Sequence, residues 1–104
     1  MHNDKKNVLL VCWSKRIEME WKICELLYND VNLYIKPHPG DRDNPAYKEM
    51  SGKYGCIIIP KTGYPRVDVV VSYESTLADE YEDVNVKMIR YDLLESIEYI
   101  KRFI

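Results

Sequence analysis

Apolar residues fall in two rhythms along this 104-residue chain. Asn7-Val8-Leu9-Leu10-Val11-Cys12-Trp13 is a near-continuous apolar run, the pattern of a strand covered on both faces as in parallel sheets. Between Lys15 and Asn29 the spacing changes: Ile17, Trp21, Cys24, Leu27 and Tyr28 recur at helical intervals and predict one buried stripe. Glu18, Glu20, Lys22 and Glu25 are expected mostly off that stripe, Ser14 to cap the helix, and Asn29-Asp30 to end it. Val31 to Lys36 predicts a second strand, and Gly40-Asp41-Arg42-Asp43-Asn44-Pro45 a turn-rich loop. Asn44 and Pro45 then cap and open a short helix through about Lys53.

Tyr54-Gly55-Cys56-Ile57-Ile58-Ile59-Pro60 predicts a third buried strand, and 61–66 a loop. Val67 to Tyr73 is the fourth strand, followed by a helix from about Ser75 to Glu82. Val84 to Tyr91 alternates in part and predicts a fifth strand at a sheet edge. Asp92 caps a final helix through Arg102, with Leu93, Leu94, Ile97, Ile100 and Phe103 on its apolar side.

Strands alternating with helices argue for an α/β fold: a Rossmann-like three-layer α/β/α domain on a mostly parallel five-stranded sheet, order 3-2-1-4-5, spanning 1–104. One step strains this topology. The loop between the third and fourth strands has only about six residues, a reach of roughly 20 Å. Crossing three strand spacings already needs about 14 Å sideways. The alternatives are antiparallel third and fourth strands, or a third strand placed elsewhere.

Composition narrows the function classes. At 46% hydrophobic and 31% charged the chain reads as a globular protein. A net charge of −2 lacks the basic footprint of a nucleic-acid binder. No run of about 20 apolar residues predicts a membrane span, and the polar Met1-His2-Asn3-Asp4-Lys5-Lys6 is not a signal peptide. Three cysteines without CxxC spacing fit a reducing, cytoplasmic setting and buried side chains. No ligand spacing points to a metal, and no cofactor is implied.

The chemistry collects at the expected carboxyl ends of the strands. In open parallel sheets ligands bind there, where strand order reverses. The residues just past those ends are Ser14-Lys15-Arg16, Lys36-Pro37-His38-Pro39, Lys61-Thr62 and Glu74-Ser75-Thr76. They comprise four basic side chains, one histidine and four hydroxyls against one acid, in a chain that is acidic overall. That bias suits an anionic ligand. Prolines stiffen the loop around His38, and Ser75-Thr76 opens a predicted helix whose unpaired N–H groups suit phosphate. Each piece also has a plain structural reading: a helix cap at Ser75-Thr76, a loop histidine at His38, a solvated helix position at Glu80.

Lys36-Pro37-His38-Pro39-Gly40, with Asp68-Val69-Val70-Val71-Ser72-Tyr73-Glu74-Ser75-Thr76-Leu77-Ala78-Asp79-Glu80, resembles the C-terminal donor-binding half of two-domain B-fold glycosyltransferases. The similarity is nearest the branch of CDP-glycerol glycerophosphotransferases and bacterial sialyl- and polysialyltransferases, and covers roughly residues 7 to 92. It implies phosphate contacts from His38-Pro39 and Ser75-Thr76 and a ribose contact from Glu80. Lys36, Ser14, Lys15 and Arg16 complete the expected nucleotide site. Glu74 departs from the pattern, as does the lack of a helix between the third and fourth strands. The family's acceptor half, which usually carries the catalytic base, has no counterpart here, and no base is identifiable.

Three readings follow. The first is a stand-alone domain binding a pyrimidine nucleotide or nucleotide-sugar of the CMP, CDP or UDP type. The second is a subunit or fragment of a glycosyl- or glycerophosphotransferase, inactive alone and completed by a homodimer or a partner domain. The third is a non-catalytic interaction or nucleotide-sequestering protein.

Overall fold

A computed structural model describes residues 5–41, 43–59, 66–73, 87–91 and 96–103. Five strands form one parallel sheet: β1 (Asn7–Cys12), β2 (Asn32–Pro37), β3 (Ile57–Ile58), β4 (Val69–Ser72) and β5 (Lys87–Arg90). Their order is β3-β2-β1-β4-β5, as the alternation of strands and helices predicts. Among the described residues the helices are α1 (Ile17–Leu27), α2 (Pro45–Tyr54) and the short α3 (Ile100–Phe103), with 3-10 turns at Ser14–Arg16, Pro39–Asp41 and Ile97–Tyr99.

β1 is the central strand. It pairs along its whole length with β2, Asn7 to Asn32 through Cys12 to Pro37, and over Val8–Leu10 with Val69–Val71 of β4. Because β3 joins β2 and β4 joins β1, both in parallel, the third and fourth strands are not antiparallel neighbours. The connection through 60–65, the helix expected at 75–82, and the residues 84–86 and 92–95 expected in the fifth strand and the final helix lie outside the described residues; from Ser96 on, that expected helix is a 3-10 turn followed by one short α-helical turn.

Both faces of the sheet centre are buried. Val8, Leu9, Leu10, Val11, Cys12, Val69, Val70 and Val71 all belong to the core, which explains why β1 and β4 read as unbroken apolar runs. The register places Val8, Leu10 and Cys12 on one face with Leu33, Ile35, Val69 and Val71. On that side α1 packs against α2 and the turn before α3, and the helices contribute Ile23, Cys24, Leu27, Tyr47, Met50 and Ile100 to the core. Each fully buried large aliphatic side chain contributes about 1.5–3 kcal/mol.

The second helix forms as its sequence predicts. Asn44 accepts the Ala46 N–H at 3.0 Å, and Pro45 occupies the first turn. The helix runs one residue further than expected, to Tyr54, and stops at Gly55, whose φ of 69° lies in the left-handed region.

Three local expectations are corrected. The α1 stripe is Glu20, Ile23, Cys24 and Leu27, whereas Trp21 is only half-buried and Tyr28 is exposed. Ser14 makes no helix-capping bond, because its hydroxyl bonds Asp41 instead. The third strand shrinks to two residues at the sheet edge, where Ile57 is 51% exposed, because no further strand covers its outer side. None of the described helices is long and apolar enough to cross a membrane.

Candidate functional site

A cluster of aromatic rings occupies the carboxyl edge of the sheet. Trp13 follows β1, His38 follows β2, Tyr73 follows β4 and Tyr91 follows β5. Trp13 stacks on Tyr73 with ring centroids 5.5 Å apart and planes inclined by 25°. The contact bridges β1 and β4, where the chain's path across the sheet reverses. His38 lies 6.5 Å from Trp13, and Tyr91 packs edge-on against Tyr73 at 6.4 Å. Two cations cover the rings: the Lys15 ammonium sits 4.9 Å from the Trp13 centroid and the Arg16 guanidinium 5.7 Å from that of Tyr73. A surface groove of about 420 Å³ runs along Ser14, Lys15, Arg16, Ile17, Glu18 and Met19.

Beneath the rings lies a buried polar knot. Glu20 is fully buried, and its carboxylate accepts the Trp13 N–H at 2.6 Å and the Tyr47 hydroxyl at 2.9 Å. Burial pushes its pKa up to about 7; the two hydrogen bonds oppose the shift and the nearby Asp41 charge adds to it. Asp41 accepts both the backbone N–H and the hydroxyl of Ser14, each at 2.8 Å. Backbone donors at the β1–α1 turn are thus satisfied by the protein's own carboxylates. Burial also raises the Tyr47 and Tyr91 hydroxyls above their usual range, with the Glu20 charge as the next cause. The buried Tyr91 hydroxyl and Ser72 Oγ have no hydrogen-bond partner among the described residues.

The predicted site residues separate into three groups. His38, Lys15 and Arg16 come together around Trp13 and Tyr73. The His38 imidazole is exposed, and its Nδ1 accepts the Gly40 N–H at 3.2 Å, which leaves Nε2 to carry the proton of the neutral ring. Its backbone N–H donates to the Cys12 carbonyl at 2.7 Å and ties the loop to β1. Pro39 begins the 3-10 turn that carries Asp41.

Ser14 and Lys36 are placed otherwise than expected. Ser14 is engaged by Asp41, a carboxylate that would repel a phosphate at the same donors. Lys36 lies inside β2 and is buried, not displayed on the loop, because the strand runs on to Pro37. Ser75, Thr76 and Glu80 lie outside the described residues. Tyr73, two positions before Ser75, belongs to the aromatic cluster.

Sequence reasoning missed Trp13, Tyr73 and Tyr91 as site residues, since each reads as the apolar end of a strand. A signal was nevertheless present: each is the aromatic residue that immediately follows a strand's last residue, Cys12, Ser72 or Arg90. Glu20 was missed too, although it precedes Ile23, Cys24 and Leu27 by three, four and seven positions, the spacing of a shared helix face. Among the described residues no group of three or more His, Cys, Asp or Glu side chains could hold a metal ion. No family model, curated protein or solved structure matches this chain.

Proposed function

We propose that this domain binds a nucleotide, of the pyrimidine nucleotide or nucleotide-sugar class, at the carboxyl edge of its sheet. The observation that carries this reading is the Trp13–Tyr73 stack at the strand-order reversal, with Lys15 and Arg16 over its rings and His38 at its margin. Aromatic faces suit a base, and neighbouring cations suit its phosphates. Ligands of open α/β sheets bind at such reversals. The Tyr91 hydroxyl supports the reading as well: it has no partner among the described residues, a buried hydroxyl left so costs about 1–3 kcal/mol, and a polar ligand atom would recover part of that.

The phosphate is assigned to Lys15, Arg16 and His38, together with Ser75-Thr76. The N–H groups of Trp13 and Ser14 are excluded from that role because Glu20 and Asp41 already hold them. Glu80 is the proposed ribose contact. An open edge with a few charge-assisted contacts implies affinity of roughly micromolar to millimolar. In the glycosyltransferase reading, transfer needs a second domain, and turnover appears only in that complex.

Calorimetry with CMP, CDP, UMP and UDP tests the binding. The expected result is saturable heat, lost in Trp13→Leu and weakened about tenfold in Arg16→Ala. Absence of heat at millimolar ligand, with the protein folded by circular dichroism, overturns the reading.

A further inference from the structure

The three cysteines are all buried, but they are not equivalent. Cys24 lies in α1, on the stripe that faces the sheet. Cys56 lies 32 residues further on, between the Gly55 cap of α2 and β3. Their sulfurs are 3.8 Å apart in an S–H···S contact. Cys12 is directed elsewhere: its thiol bonds the Leu10 carbonyl at 3.5 Å and lies beside the Glu20 carboxylate.

We propose that Cys24 and Cys56 form an oxidative modification site, closing to an intramolecular disulfide when the folded protein meets a peroxide. The contact distance is already short, and covalent closure needs the sulfurs to approach by less than 2 Å. Cys56 is the sulfur attacked first. Cys56 is itself buried, but its chain neighbours Gly55 and Ile57 are both exposed, so a smaller local opening brings it to peroxide than Cys24 in the middle of α1 would need. The Cys24 hydrogen bond favours its thiolate and lowers its pKa, while sharing that proton and burial raise Cys24.

The chemistry balances with hydrogen peroxide as the oxidant. The Cys56 thiolate attacks one peroxide oxygen, the O–O bond breaks, and hydroxide leaves as a sulfenic acid forms. Cys24 sulfur then attacks the sulfenic sulfur, the S–S bond forms, the S–O bond breaks, and the second hydroxide leaves. The two thiol protons convert the hydroxides to two waters, and the thiols have lost two electrons to the peroxide. The bond would staple the middle of α1 to the corner that leads into the edge strand.

The test exposes the full-length protein to hydrogen peroxide at neutral pH, followed by non-reducing digestion and mass spectrometry. The expected product is a monomer about 2 Da lighter, with one cross-linked peptide pair holding Cys24 and Cys56 and a single remaining free thiol. Its melting midpoint should rise by at least about 5 °C, returning to the starting value on reduction. Cys12→Ser should still form the bond, and Cys24→Ser and Cys56→Ser should not. A disulfide involving Cys12, a disulfide between two chains, oxidation beyond the sulfenic state without a cross-link, or three unreacted thiols in the folded protein would each overturn the proposal. The wild-type digest decides the matter even if a serine variant fails to fold.

Discussion

Replacing Glu20 by glutamine should remove most of a pH-dependent weakness from this protein. The native carboxyl is fully buried, and its pKa rises from 4.5 to about 7. Burial is the main cause, because a charge taken from water loses more than the Trp13 N–H and Tyr47 hydroxyl return to it. The folded state therefore holds this proton more tightly than the unfolded chain does. The resulting stabilisation is complete below the unfolded pKa and is lost as pH rises through the folded one. Between pH 5 and pH 8 the loss amounts to about 2–3 kcal/mol. Glutamine keeps the shape and an acceptor for the Trp13 N–H but cannot ionise, so Glu20→Gln should lose none of this. Urea unfolding followed by tryptophan fluorescence at pH 5, 6, 7 and 8 measures it. At slopes typical of a small domain, the midpoint of the wild type should fall relative to the variant by about 1–2 M urea across that range. Parallel curves for the two proteins would refute the account of Glu20. Glu20→Leu gives an independent check: it orphans the Trp13 N–H and Tyr47 hydroxyl and, relative to Glu20→Gln, should destabilise by about 1–3 kcal/mol for each, independently of pH.

Two further substitutions probe the turns that hold the site. Asp41→Asn removes the charge that adds to the Glu20 shift, so the pH midpoint of the Glu20-linked loss should move down, as read from the same urea series. It should also weaken the Ser14 contacts and destabilise by about 1 kcal/mol at pH 8. At Gly55 a new Cβ would meet no atom within 4 Å, so Gly55→Ala isolates the backbone effect of φ 69°. It should lower stability by about 1 kcal/mol, and an unchanged urea midpoint would refute the left-handed cap.

The candidate site was legible in its location and only partly in its members. His38, Lys15 and Arg16 could be placed because each stands just past a strand end, and topology alone brings such residues to one edge. Lys36 could not, because the pairing runs one residue beyond it, to Pro37, and turns an expected strand-end side chain into a buried strand-interior one. Ser14 reads as a cap from its neighbours alone, yet its partner is Asp41, 27 residues away. Tyr73 and Trp13 form a site feature only as a pair, and that pair exists because β4 lies against β1.

The sequence by itself determined the class of the fold and favoured the order of the sheet, leaving the place of the third strand to the structure. Unbroken apolar runs require cover on both faces, helical stripes between them supply it, and right-handed crossovers leave few arrangements. Tertiary structure alone decided which polar groups meet. Glu20 carries the same label as Glu18 and Glu25 in a composition or a charge pattern. Helical spacing sets Glu20, unlike Glu18 and Glu25, on the face of Ile23, Cys24 and Leu27, but only the placement of α1 against β1 and α2 put its carboxylate beneath Trp13 and beside Tyr47. Periodicity records which face of an element is buried, whereas a hydrogen bond depends on the relative placement of two elements, which no local pattern encodes.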